Sequence, residues 1–151
     1  MTTAVRMSQV CPDNSAWCLG NLVSFLVSGA DTDGRIALIQ TCETRGCEPP
    51  RHIHHHEDEI IYVLEGHLQF SVGETCFDAP RGTYVLLPRG IEHGFTLASE
   101  EAKLLLMLTP AGLEGYFKEL SRPVEQLHAL PDAEQLVTTA ARYGVEITGP
   151  P

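Results

Sequence analysis

The chain has 151 residues, 43% of them hydrophobic and 20% charged, which suits one domain with a sizeable core and excludes a compositionally disordered chain. Twenty Asp+Glu against ten Lys+Arg give a formal charge of −10. That balance argues against nucleic acid as a partner, because phosphates need clustered cations, and against an anionic membrane surface.

Residues 1–16 show no hydrophobic periodicity and are expected to form a loose arm. Met1 to Val10 lacks the continuous apolar stretch of a leader, and the longest apolar run, Leu104 to Leu108, is far short of the ~20 residues that span a bilayer. Five cysteines follow, Cys11, Cys18, Cys42, Cys47 and Cys76, with no Cys-x-x-Cys pair. An odd number without a leader points to reduced thiols and a cytoplasmic location. A Cys42–Cys47 bridge stays open.

From Leu19 to about Leu127 the pattern is strand, turn, strand. Thirteen Gly and ten Pro punctuate it, which favours short strands over a helical bundle. Leu22–Val27 reads as a strand, and Asp33-Gly34 as a hairpin turn, since both residues tolerate positive φ. Ile36–Thr41 returns. Glu59–Leu64 is closed by Glu65-Gly66, and His67–Val72 alternates with Leu68, Phe70 and Val72 on one face. Thr75–Phe77, Thr83–Leu87, Glu92–Leu97 and Lys103–Leu108 complete the series. Strands this short, without intervening helices, predict an all-β antiparallel sandwich or barrel over residues 17–109.

Residues 110–151 are expected as a helical tail on the barrel. Thr109-Pro110 suits an N-cap and first turn. Leu113, Tyr116, Phe117 and Leu120 make one apolar stripe, fit for packing on the barrel wall or for covering its mouth. A second helix is expected to start at Asp132, with Gln135 as its capping-box partner, and to end at Gly144.

Four of the seven histidines are His52, His54, His55 and His56. In an extended strand, side chains two apart share a face, so His52 and His54 point together. Two imidazoles on one face make half of a metal site. Glu59 opens the next strand, and a hairpin-like return brings its carboxylate towards them. His93 follows a strand and a Pro88-Arg89-Gly90 turn, and can point inward. His56 shares the face of His52 and His54 and is an alternative ligand. His55 is expected at the surface, and His67 and His128 are read as structural or exposed. Tyr62 and Tyr84 are read as packing residues.

These spacings resemble the two motifs of the cupins. The pattern G-x5-H-x-H-x4-E-x6-G is met by Gly46, His52, His54, Glu59 and Gly66, and G-x5-P-x-G-x2-H by Gly82, Pro88, Gly90 and His93. The second motif ordinarily closes on Asn four residues further on, where this chain has Leu97. The stretch Pro49–Gly66 and the tail from Ala141 to Pro151 look like small single-domain bacterial cupins similar to quercetin 2,3-dioxygenase.

The resemblance implies a double-stranded β-helix, a jelly-roll barrel, with two short C-terminal helices. It implies one divalent transition metal per chain, Fe, Mn, Ni, Co, Cu or Zn, held by His52, His54, Glu59 and His93. Such a site leaves coordination positions free for a ligand. Glu59 is also the candidate catalytic residue, as acceptor of a substrate proton. The barrel wall is expected to include Phe25, Ile61, Val63, Phe70 and Phe95. The leading functional expectation is a dioxygenase acting with O2 on a small aromatic or enolic substrate. A metal-dependent isomerase, cyclase or decarboxylase, and a small-ligand binder without turnover, are the alternatives. The resemblance also implies a homodimer, with Leu22–Val27 as the strand that covers an exposed edge.

Overall fold

The computed structural model describes residues 4–124 and 131–151. In chain order the strands are β1 (Ser15–Cys18), β2 (Asn21–Val27), β3 (Ala37–Thr44), β4 (Arg51–His54), β5 (Asp58–Glu65), β6 (His67–Val72), β7 (Thr75–Pro80), β8 (Tyr84–Leu87), β9 (His93–Leu97) and β10 (Glu101–Thr109). Helix α1 (Glu114–Leu120), β11 (Arg122–Pro123), α2 (Ala133–Arg142) and β12 (Val145–Gly149) follow. The strands form two antiparallel sheets, ordered β11-β1-β2-β3-β10-β5-β8 and β12-β4-β9-β6-β7. The strand spacing predicts this antiparallel two-sheet arrangement, and the resemblance implies its jelly-roll form.

Alternation decides which faces meet. β3 buries Ala37, Ile39, Thr41 and Glu43, and β10 buries Ala102, Leu104, Leu106 and Leu108. These rows face Leu68, Phe70, Phe95 and Leu97 of the other sheet across one shared core. Burying a large aliphatic or aromatic side chain is worth about 1.5–3 kcal/mol, so the facing rows hold the sheets together. Some turns leave little choice of residue. Gly66 has φ +93°, and a Cβ there would stand 2.6 Å from the Glu101 carbonyl oxygen, a contact that no side chain accommodates. Asp33 and Gly34 both take positive φ, as the hairpin reading requires.

Several expectations are corrected. The first helix does not start at Thr109-Pro110. β10 continues to Thr109, and α1 begins at Glu114. The apolar stripe is nevertheless real, with Leu113, Tyr116 and Leu120 buried. The segment expected as a helical tail ends as β12, which pairs with β4 through Val145↔His54 and Ile147↔His52. β1 starts at Ser15, inside the segment expected as an arm. β2 is not an edge. It lies between β1 and β3, so Leu22–Val27 covers no open edge. Tyr62 and Tyr84 are not packing residues: they pair on the outer face of β5 and β8 and are exposed. The second helix has the N-cap and the end that its reading gives, though no return bond of a capping box is seen among the described residues. Asp132 accepts the Gln135 N–H at 2.7 Å, and Gly144 follows the last helical turn with φ +71°.

All five cysteines are free, including Cys42 and Cys47. Among the described residues, no helix is long and apolar enough to cross a membrane.

Candidate metal centre

Three imidazoles enter the barrel from one sheet. β4 sends His52 and His54 to the same face, and His52 pairs directly with His93 of β9. Glu59 enters from the opposite sheet, on the row of β5 that also buries Ile61 and Val63. The turn before His93 is anchored on both sides. The Gly90 N–H donates to the His54 carbonyl at 2.7 Å. The Arg89 guanidinium forks onto the Asp58 carboxylate at 3.1 and 3.0 Å. The second motif is thus fastened to the strands that carry the first.

The four donor atoms all lie within 4.8 Å of one another. His52 Nε2 is 3.1 Å from His54 Nε2, and Glu59 Oε2 is 3.2 Å from His54 Nε2 and 3.5 Å from His93 Nε2. Adjacent donors about 2.1 Å from one ion are themselves about 3 Å apart, so the spacing suits a transition metal. Tautomers support this. His52 Nδ1 lies 2.7 Å from the Pro50 carbonyl and His93 Nδ1 3.2 Å from the Ile91 carbonyl. A carbonyl only accepts, so both Nδ1 atoms carry the proton and both Nε2 lone pairs turn to the centre. His93 Nε2 is buried without a hydrogen-bond partner. Three nitrogens and a carboxylate oxygen converging with a single shared proton are poorly satisfied, and one divalent cation satisfies all four. The residues fit the group.

Charge follows the same geometry. Burial is the largest influence on Glu59 and pushes its carboxyl up, but the imidazoles of His54 and His93 beside it outweigh burial and hold the group well below the ordinary range. Burial, helped by His54 and His93, pushes His52 down to about 4. Burial also lowers His54, but its bond to Glu59 prevails and raises it above the ordinary imidazole value.

The other histidines separate cleanly. His56 does not join the ligands: β4 stops at His54, and His56 is exposed, turned against Gly144. His55 faces solvent and meets Glu146 at 2.9 Å. His67 is half-buried, 3.5 Å from Asp78. His128 lies outside the described residues. Two buried carboxylates escaped the sequence reading. Glu57 stands 4.0 Å behind His54 Nδ1, and Glu43 faces the barrel interior from β3. The strict in-out alternation of β3 marks position 43 as inward, which was the available signal.

The four donors open into a partly enclosed cavity. Ile61, Phe95, Leu104 and Leu106 form its apolar wall, and Leu113, Tyr116 and Phe117 place α1 across it. Of the expected wall, Ile61 and Phe95 line this space. Val63 and Phe70 sit deeper in the core, and Phe25 packs beside it under Lys118.

A family model described as "Cupin domain" matches residues 38–109, the span from β3 to β10. Quercetin 2,3-dioxygenase of Bacillus subtilis (strain 168) is 25% identical over 95 residues, covering 63% of this chain and 28% of that protein. An uncharacterized protein of Streptomyces coelicolor is 32% identical over 56 residues, covering 37% of this chain and 53% of its own length. The matches therefore span about a quarter to a half of these curated relatives. The structure of KdgF from Halomonas sp. superposes with a TM-score of 0.57 at 15% identity, over 74% of this chain and 91% of that one, which speaks to fold alone. A cupin domain therefore spans residues 38–109, the strands that carry His52, His54, Glu59 and His93.

Proposed function

We propose that the protein is a metal-dependent dioxygenase acting on a small aromatic or enolic substrate. The observation that carries the reading is the placement of a three-histidine, one-carboxylate donor set on the floor of an apolar cavity. The likeness to a quercetin 2,3-dioxygenase over 63% of the chain supports it. A redox-active divalent ion held by His52, His54, Glu59 and His93 supplies the means to activate O2 and to acidify a substrate hydroxyl.

The chain's own residues do the rest. The Pro50 and Ile91 carbonyls fix the His52 and His93 rings with Nε2 inward. Glu59 brings the site's one full negative charge, so a divalent ion and neutral imidazoles carry net +1, which attracts an enolate or phenolate. A carboxylate oxygen of Glu59 within hydrogen-bond reach of a substrate hydroxyl accepts its proton. Ile61, Phe95, Leu104 and Leu106 bury a flat apolar body and exclude water. α1 restricts access from above.

The test is metal analysis of the native protein combined with O2 uptake against a panel of phenolic and enolic compounds. The expected result is about one Fe, Mn, Ni, Co or Cu per chain, with stoichiometric O2 consumption and an oxygenated product. Turnover of the same strength without O2, or with Zn alone, makes the enzyme a non-redox one and overturns the proposal.

A further inference from the structure

The cavity holds a second pair of buried polar groups that the metal ligands do not use. On the inward row of β3, Ala37 and Ile39 are followed by Thr41 and Glu43, polar where the pattern asks for apolar residues. Thr41 is 2% exposed and Glu43 7%. Neither Thr41 Oγ1 nor Glu43 Oε2 has a hydrogen-bond partner, and both side chains line the same cavity as the four ligands. A protein keeps a buried carboxylate with an unpaired oxygen at a real cost in stability, so such a group is retained for something other than packing.

The neighbours do not relieve it. Asn21 lines the cavity too, but its amide is spent on the Cys47 carbonyl at 2.8 Å and the Thr44 N–H at 2.9 Å. Burial is the main reason the Glu43 carboxyl is raised to about 7. The Thr41 hydroxyl pulls the other way, and the nearby charges of Glu48 and Glu59, both negative, add to the rise. Near neutrality Glu43 is therefore present both as acceptor and as donor.

Register places the two carboxylates at different levels of the seven-stranded sheet. Glu59 stands opposite Leu108, at one end of β10, and Glu43 opposite Ala102, at the other. Between them Leu104, Leu106 and Ile61 make an apolar floor. The cavity is polar at both ends and apolar in the middle.

We propose that Thr41 and Glu43 form a second binding subsite, which takes a hydroxyl at the end of a flat aromatic ligand remote from the end that meets the metal ligands. The inference rests on the aromatic or enolic substrate proposed above, and adds that this substrate carries a distal phenol. A hydroxyl donates to the Glu43 carboxylate and accepts from the Thr41 hydroxyl at once. A neutral group also crosses the apolar wall at far lower desolvation cost than an ammonium.

The test uses metal-loaded protein, kept free of O2, and calorimetric titration with two probes. One is 3-hydroxyflavone, polar at the metal-seeking end only. The other is 3,4′-dihydroxyflavone, which adds the distal phenol. Wild type is expected to bind the second at least tenfold tighter, as a hydrogen bond to a charged group warrants. Glu43→Leu is expected to bind the two alike, and Thr41→Val to lose part of the preference. Should Glu43→Leu fail to fold, Glu43→Gln keeps the shape with a weaker acceptor and is expected to lose most of it. Equal binding of both probes by wild type, or a preference that survives the Glu43 substitution, overturns the subsite and leaves the proposed function standing. Binding of neither probe by protein carrying its metal overturns that function and the subsite with it. A 4′-aminomethyl analogue bound more tightly than the phenol makes this a cation site and overturns the hydroxyl assignment.

Discussion

His52, His54 and His93 hold one kind of donor, yet an incoming ion asks different things of them. His52, pushed down to about 4 by burial and its neighbours, is already neutral from pH 5 to 8 and releases nothing when a metal binds. His54 is raised by Glu59, so in the metal-free protein it holds a proton to higher pH than a free imidazole at ~6.5. A metal displaces that proton, so affinity is full above the raised His54 value and falls as pH drops through it. Competition titration against a chelator between pH 8 and 5 should show affinity falling as pH drops, with at least one proton taken up per ion released. An affinity flat across that range contradicts the assignment. At the same scale, His52→Ala combined with His93→Ala should abolish the metal measured by elemental analysis, while His55→Ala leaves it near one per chain, since His55 faces Glu146 in solvent. Glu59→Gln tests the carboxylate: at saturating metal, a loss of about 10²–10⁴ in turnover marks a missing proton acceptor, and near-normal turnover leaves Glu59 a ligand only. The clustering of these donors was legible because strand alternation is local: His52 and His54 share a face whatever the strand packs against. His56, kept as an alternative ligand, leaves the shared face because β4 ends at His54, where its pairing with Val145 of β12 stops, and the tetrad of histidines does not encode that pairing. Glu43 and Glu57 stayed hidden because a carboxylate's burial is set by what faces it.

Among the elements, α1 matters most to the cavity and is tied down by one residue outside the ligand set. Glu114 is buried and accepts the Gly29 N–H at 2.7 Å with one oxygen and the Gly112 N–H at 2.6 Å with the other. It thereby joins the start of the helix to the β2–β3 connection and holds Leu113, Tyr116 and Phe117 over the cavity. Glu114→Ala strands two backbone donors and is expected to cost about 2–3 kcal/mol by urea denaturation. Glu114→Gln, which can serve only one of the two N–H groups through its oxygen, should cost less. A change within 0.5 kcal/mol for the alanine variant would show that the helix is held by its apolar stripe alone. The helices divide instructively. Both ends of α2 were readable because Asp132 and Gly144 act on atoms within one turn. The start of α1 was not, because β3 and β5 pair with β10 as far as Ala37↔Leu108 and Asp58↔Thr109, and this non-local pairing extends the strand over the residues that looked like a cap. β12 was missed for the same reason: Val145 and Ile147 acquire strand character from His54 and His52 across the ladder.

For the molecule as a whole, the decisive fact is that the donor set straddles the two sheets. Glu59 belongs to the seven-stranded sheet, and His52, His54 and His93 to the five-stranded one. Strand spacing announces a closed antiparallel barrel, but which strands fall in which sheet is a matter of pairing over long separations, so the sequence motifs name four candidate donors without saying that they bridge the two sheets. An ion held by all four binds only the folded state, because unfolding scatters Glu59 and the imidazoles. Its binding free energy therefore adds to stability, by about 2.7 kcal/mol at a free concentration one hundred times Kd. For a chain of this length that corresponds to a rise in Tm of about 5–10 °C. Calorimetric or fluorescence melts of chelator-treated protein, with Zn or Co added back, should show the rise. His93→Ala should melt at the same temperature with and without metal, because the β9 arm of the clamp is gone. Glu59→Ala should do likewise, because the other sheet has lost its only ligand. A metal-dependent rise that persists in both variants would mean the ion stabilises some other part of the chain. If the rise is confined to the intact set, the same four side chains that prepare the site for chemistry also fasten the two sheets around it.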